Sequence, residues 1–421
     1  MRKWLIAGSV LVLFLPLICM IWLQSGPRAA VPTVDPIVGW NAEHAQLADN
    51  AADLYRAAFA RLVGEEDRAW SENRHSATDP VPPEAAAWVE QNHDALELAH
   101  QAAERPHCWF DVERTPNGDL ELSQSVEMRT LAKLLSWRAL LAAERHDAQT
   151  VVDSAILADQ LARHVDEGAP TLINALVGIA IHAFAQASVT RPMLWPELSA
   201  AERAAYVERL TPIFDPPPPL SAALAGEQEI SIWMYIGQMG ASQQMALLAP
   251  PERVAGEMER CFGPLRELAA EPVERQCDPA NPLVVRVQAL ANETPSKLNP
   301  SRLIASIVFP TMSRALSVRA RFIAEQRGTR TVLELYAYRD RTGALPDALD
   351  ALPGDFKIDP FSGAPFVYRR TDDGFTLYSV GFDRKDNGGR HDRRFGEERT
   401  DSDFVFWPIP EVASTSAPIR K

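Results

Sequence analysis

The stretch LYSVGFDRKDNGG, Leu377–Gly389, joins two kinds of chain. Its start is apolar and aromatic, as a strand is. It then breaks into glycine, aspartate and asparagine, and further aspartates follow at Asp401 and Asp403. Just upstream, PFVYRR and FTLYSV flank a DDG turn and read as an alternating β-hairpin. Downstream, FVFW (404–407) is a last apolar strand that can pair back. Upstream again, a helix ends at a glycine turn at Gly343. Leu345, Leu349 and Leu352 pack a short helical turn, and DPFSG (359–363) is a further turn. This region is therefore expected to be a small α+β unit with antiparallel strands, and the stretch is the exit of its hairpin.

The ordered motifs here resemble the C-terminal domain of the major pseudopilin of type II secretion systems. They are Tyr338, Gly343 and Pro346; Asp359, Pro360, Phe361, Gly363, Pro365 and Tyr368; and Leu377, Tyr378, Ser379, Gly381 and Asp383. The resemblance covers roughly the last 80 to 90 residues, and it implies a calcium ion in the glycine–aspartate loop. Calcium collects six to eight oxygens from carboxylates and carbonyls. Asp383 is the ligand carried over, Asp401 and Asp403 stand near the family's acidic pair, and Asp386 matches no fixed family position. The loop also departs from the family, with Arg384, Arg390, Arg393 and Arg394 among its aspartates. Guanidinium–aspartate pairs are thus the alternative to a metal. The family's glutamate five residues into the apolar helix has no counterpart in MRKWLIAGSVLVLF.

The amino-terminal end decides location. Trp4–Leu23 carries no charge, and twenty such residues in a helix span a ~30 Å hydrocarbon core. Arg2 and Lys3 favour a cytoplasmic N-terminus. A cleaved signal peptide is the rival, but its apolar core would be shorter, and QSGPRAAV offers no clean small-x-small site. Either way the bulk of the chain is expected to be extracytoplasmic (periplasmic).

Between the two ends the pattern is helical. Leucine, alanine and aromatic residues recur at spacings of three and four from about Gly39, interrupted by CWFDVERTPNGDLELS (108–123), which reads as a hairpin or ordered loop. Paired helices across 124–210 suggest a solenoid or an irregular bundle. They loosely resemble tetratricopeptide architecture, without its 34-residue period. The APTLI and LVGIAI phrases resemble uncharacterised membrane-anchored helical proteins of environmental bacteria, which supplies an architecture and no activity. The fold expected is mainly α: an anchor at 1–24, a linker at 25–38, a helical domain at 39–308, a long helix plus α+β domain at 309–410, and a disordered tail at 411–421.

Several features bear on chemistry. Leu172–Val189 is apolar enough to suggest a second span, but Asn174, His182 and Gln186 fall near one helical face. They read as a polar stripe in a buried helix, lining a pocket or bonded within the core. Cys261 and Cys277 could bridge in an oxidising compartment or remain free thiols. His93, His100 and His107 recur every seven residues, about 10 Å along a helix, too far for two to share a metal. No zinc-protease, nucleophile-elbow, phosphate-loop or dinucleotide motif is present. A net charge of −14 argues against nucleic acid as a partner. The sequence therefore points to a membrane-anchored, non-enzymatic scaffold that binds a protein partner. One alternative is a type II secretion component with a calcium-binding end domain. A third is an enzyme with its pocket beside the Asn174–His182–Gln186 stripe. No small-molecule substrate is identified.

Overall fold

The computed structural model describes residues 26–67, 70, 80–115, 118–168, 171–239, 249–293, 299–372, 374–391 and 402–409. The expected anchor at 1–24, the tail at 411–421 and Asp401 lie outside the described residues. Within them the chain is mainly helical, with thirteen α-helices and a small three-stranded antiparallel sheet near its C-terminal end.

The helices are α1 (Pro36–His44), α2 (Ala52–Phe59), α3 (Pro83–Gln91), α4 (His93–Ala103), α5 (Ser123–Glu144), α6 (Ala148–Glu167), α7 (Leu172–Gln186) and α8 (Ala200–Leu210). They continue with α9 (Ser221–Met239), α10 (Pro251–Ala270), α11 (Val273–Cys277), α12 (Pro282–Ala291) and α13 (Pro300–Thr342). Local signals set their ends. Asp147 accepts the Thr150 N–H at 3.0 Å to start α6, and Thr171 caps α7. Ser199 and Glu202 form a reciprocal capping box on α8. Between α4 and α5, the described residues of the CWFDVERTPNGDLELS segment include an antiparallel bridge, Arg114 to Leu120.

Helices α5, α6 and α7 pack on one another. Leu131, Leu134, Leu161 and Ile181 are buried between them, in a core shared with Tyr55 and Trp88. The stretch Leu172–Leu194, which begins with α7, is the one candidate among the described residues long and apolar enough to suggest a span. Helix α7 is a core element, with Asn174, Ile181 and His182 buried.

Helix α13 organises the rest. Its 43 residues extend roughly 65 Å at 1.5 Å per residue. It starts at Pro300, earlier than the expected start at Phe309, because Asn299 accepts the Arg302 N–H at 3.1 Å and Pro300 suits a first turn. Pro310 lies inside it without ending it. The first half packs Phe309 and Ile323 with Phe262 and Leu265 of α10. The second half packs Val332 and Tyr336 with Phe375, Leu377 and Trp407 of the sheet, and with Tyr206 and Leu210 of α8. The expected division at 308/309 thus falls inside one helix whose sides share cores with both regions. Gly328 lies inside this helix. A Cβ there would lie 2.4 Å from the Phe406 ring, so glycine lets strand and helix touch. The helix ends where Gly343 turns left-handed at φ 83°.

The sheet runs β1 (Val367–Thr371), β2 (Gly374–Ser379), β3 (Phe404–Trp407), with Tyr368 opposite Leu377 and Leu377 opposite Trp407. The 25–38 stretch is more than a linker. The Ala29 N–H bonds the Glu252 carbonyl at 2.9 Å, and α1 already starts at Pro36. Cys261 and Cys277 are free thiols. Burial raises both, Cys277 to about 12.

Candidate functional site

Two centres collect the polar residues that the sequence singles out. The first is the C-terminal loop. Asp383 accepts the Lys385 N–H and the Asn387 side-chain amide, each at 3.0 Å. Asp403 is fully buried and accepts the N–H groups of Asn387 (3.2 Å) and Gly389 (2.6 Å). Asn387 therefore links the two aspartates. Burial raises the Asp403 carboxyl, against the two backbone donors that lower it, and the nearby Asp386 and Asp383 charges add to the rise. Asp386 takes a different role. Its oxygens accept the Tyr378 hydroxyl at 2.8 Å, the Gly388 N–H at 2.9 Å and the Arg369 guanidinium at 2.7 Å.

One guanidinium at this loop comes from Arg369 on β1. Arg384 turns instead toward Asp278, 3.9 Å away. Arg393 and Arg394 lie outside the described residues. Among the described residues no group of three or more His, Cys, Asp or Glu side chains could hold a metal.

A buried carboxylate ties this loop to the preceding turn. Asp359 accepts the Phe361 N–H, the Val380 N–H and the Ser379 hydroxyl, all at 3.0 Å. Burial pushes its carboxyl up to about 6, against these donors.

The second centre lies between α6 and α7. Asp159, Arg163 and Asp166 fall at i, i+4 and i+7, one face of α6. His182 of α7 sits between the two aspartates. Its Nδ1 is 2.8 Å from Asp159 and its Nε2 is 3.1 Å from Asp166. Arg163 donates to the other Asp159 oxygen at 2.9 Å. All but Arg163 are buried. Both ring nitrogens face carboxyl oxygens; with both carboxylates ionised, both nitrogens donate and the ring is an imidazolium. Burial alone would lower His182, but the two aspartates hold it up at about 9. Gly178, one turn before His182, makes this possible. A Cβ there would lie 2.0 Å from an Asp166 oxygen.

The Asn174–His182–Gln186 stripe is therefore divided. Asn174 accepts the Ser125 hydroxyl at 2.9 Å, away from the ionic cluster. The Gln186 Nε2 is buried without a partner among the described residues. Asp159 and Asp166 are the residues that sequence reading missed. The available signal was their seven-residue spacing opposite the Gly178-x-x-x-His182 pattern.

Asp166 also lines a cleft of about 280 Å³ with Glu167, Trp40, His44, Trp109 and Pro218. His44 stacks on Trp109, ring centres 3.8 Å apart, and its Nδ1 is 2.8 Å from the Trp40 carbonyl. Asn50 pins the Trp109 backbone through two 2.9 Å bonds. Arg319 donates to the Pro217 and Pro218 carbonyls and fixes the proline wall. Aromatic faces beside carboxylates suit a cation, which the ring quadrupole attracts. The three evenly spaced histidines do not join. His93 and His100 line a separate groove between helix pairs, and His107 stands 3.8 Å from Glu167.

No family model, no curated protein and no solved structure matches this chain.

Proposed function

We propose that the chain is a membrane-anchored, extracytoplasmic scaffold without catalytic activity, and that the cleft beside Asp166 receives a basic side chain of its protein partner. One observation carries this reading. Asp166 is shared between the buried His182 cluster and an aromatic-walled cleft with Glu167 at its edge. Two aspartates and two cations balance inside the cluster, which leaves Glu167 and Glu43 as the carboxylates facing a ligand. His182 has both nitrogens engaged, so it holds Asp166 in place and is not free to move protons for a substrate. A titration with N-acetyl-lysine amide and N-acetyl-arginine amide, followed by tryptophan fluorescence, tests the cleft. Saturable quenching that Glu167→Gln weakens about tenfold is expected. Quenching by neutral amides to the same extent would contradict it.

A second reading has its own support. Asp359 bonds DPFSG to LYSVG, the two phrases behind the pseudopilin resemblance. A long helix packed on an antiparallel sheet is what that resemblance implies. On this reading the C-terminal unit docks with secretion machinery. Co-isolation of pseudopilins with the chain, or neighbouring genes for a secretion ATPase and secretin, would favour it. The absence of both would count against it.

A further inference from the structure

We propose that a cleft between the proline wall and the second half of α13 binds a small amphipathic carboxylate, an aliphatic body that ends in one negative charge. This cleft is separate from the one beside Asp166. Among their lining residues the two share Pro219 alone.

One face of α13 forms the floor. At 100° and 1.5 Å per residue, Arg319, Ile323, Gln326 and Arg330 fall within an arc of about 60° along roughly 16 Å of helix. Opposite stand Pro216, Pro219 and Pro272, all exposed. Gln326 ties floor to wall, because its side-chain amide donates to the Ile213 and Asp215 carbonyls at 3.1 Å each. The cleft holds about 480 Å³. That lies within the ~300–1,000 Å³ of small-molecule sites.

The charge in the cleft is not balanced. Arg319 is 6% exposed, and its guanidinium bonds the Pro218 and Pro217 carbonyls at 3.2 and 2.9 Å, with no carboxylate partner among the described residues. A buried cation without an anion is unfavourable. Burial and the Arg327 charge accordingly lower Arg319, with Asp166 acting the other way. Arg330 is half-buried and also lacks a carboxylate partner among the described residues. Its Cζ lies 4.7 Å from the centre of the Phe356 ring. The ring covers one face of the guanidinium and leaves the N–H edge for a carboxylate.

Two of the three acids in the cleft are engaged. Glu274 pairs with Arg327, and Glu271 accepts the Asn281 amide at 2.6 Å. Asp355 is exposed, and its side chain is unpaired among the described residues. Two unpaired arginines against one solvated acid give the cleft a positive potential, in a chain of net charge −14. A carboxylate at Arg330 would offset that excess, with Arg319 supplying the field behind it. An aliphatic body would cover the three exposed proline rings, which a bare anion would leave in water.

The test is calorimetric titration of the full chain with hexanoate, using hexanol and hexylamine as neutral and cationic controls. Saturable binding of hexanoate alone is expected. Arg330→Gln should weaken it about tenfold, and Asp355→Asn should tighten it about threefold by removing a like charge. Arg319 also pins the proline wall, so it is left in place. N-acetyl-leucine separates the two sources of such a group, a peptide's carboxyl end and a free fatty acid. Tighter binding of N-acetyl-leucine than of hexanoate assigns the first, the reverse assigns the second, and both support the site. No saturable heat with either carboxylate, or hexanol bound as tightly as hexanoate, overturns the proposal. Inorganic phosphate that displaces hexanoate at equal concentration also overturns it, because the cleft would then read a bare anion. Binding unchanged by Arg330→Gln places the carboxylate elsewhere, with the same consequence.

Discussion

His182 concentrates the chemistry of the α6–α7 pair. It is an imidazolium held between two buried carboxylates, and its value of about 9 lies above the 6.5 of an unfolded chain. A raised histidine stabilises the fold fully below the unfolded value, and that stability is lost as pH rises through the folded one. The denaturation midpoint should therefore fall between pH ~6.5 and ~9.5, measured by urea unfolding at each pH. His182→Gln should remove this step and cost on the order of 3 kcal/mol, because two buried aspartates lose their partner. A pH step that survives the substitution would place its origin elsewhere. Gly178→Ala should do similar damage by a different route, since its methyl would meet Asp166 at 2.0 Å. A loss of roughly 2 kcal/mol together with a smaller pH step is expected. Unchanged unfolding would show that Asp166 moves aside without cost.

At the scale of elements, the ends of helices were legible and their partners were not. Gly343, the DDG hairpin and the FVFW strand could be read because turn residues and alternation are local signals. The role of Gly328 was not legible, because nothing within α13 reveals that Phe406, 78 residues later, lies on it. Gly328→Ala should cost about 1–3 kcal/mol in thermal or urea unfolding. Stabilisation would mean the ring gives way and helix propensity dominates. The loop after β2 gave its aspartates from sequence, but not their uses. Asp386 is paired by Arg369 from another strand, which spacing could not show. Arg369→Ala and Asp386→Ala should each lower stability by up to about 1 kcal/mol, since the pair is exposed, and their double mutant should lose less than the sum. We expect the loop to hold without added calcium. A calcium-dependent rise in melting temperature that Asp383→Ala abolishes would instead make the cation part of it.

For the whole molecule, α13 decides the architecture. It carries two cores along one axis and joins the helical region to the sheet, so the two regions are expected to unfold together. Composition and periodicity announced a helical chain with a small β end. They could not announce a shared spine, because burial on two sides of one helix depends on distant segments. The candidate site was partly legible: His182 was visible as a polar residue in an apolar helix. Asp159, Asp166 and the Trp40–Trp109 walls come from three other segments, and only the fold brings them together. The scaffold reading depends on that assembled cleft engaging a partner's cation. The most direct measurement is isolation of partners from envelope extract with the wild-type chain and with Glu167→Gln. A defined partner retained by the first, lost from the second and displaced by free arginine amide is the predicted result. A partner retained equally by both and indifferent to arginine amide would contradict the account.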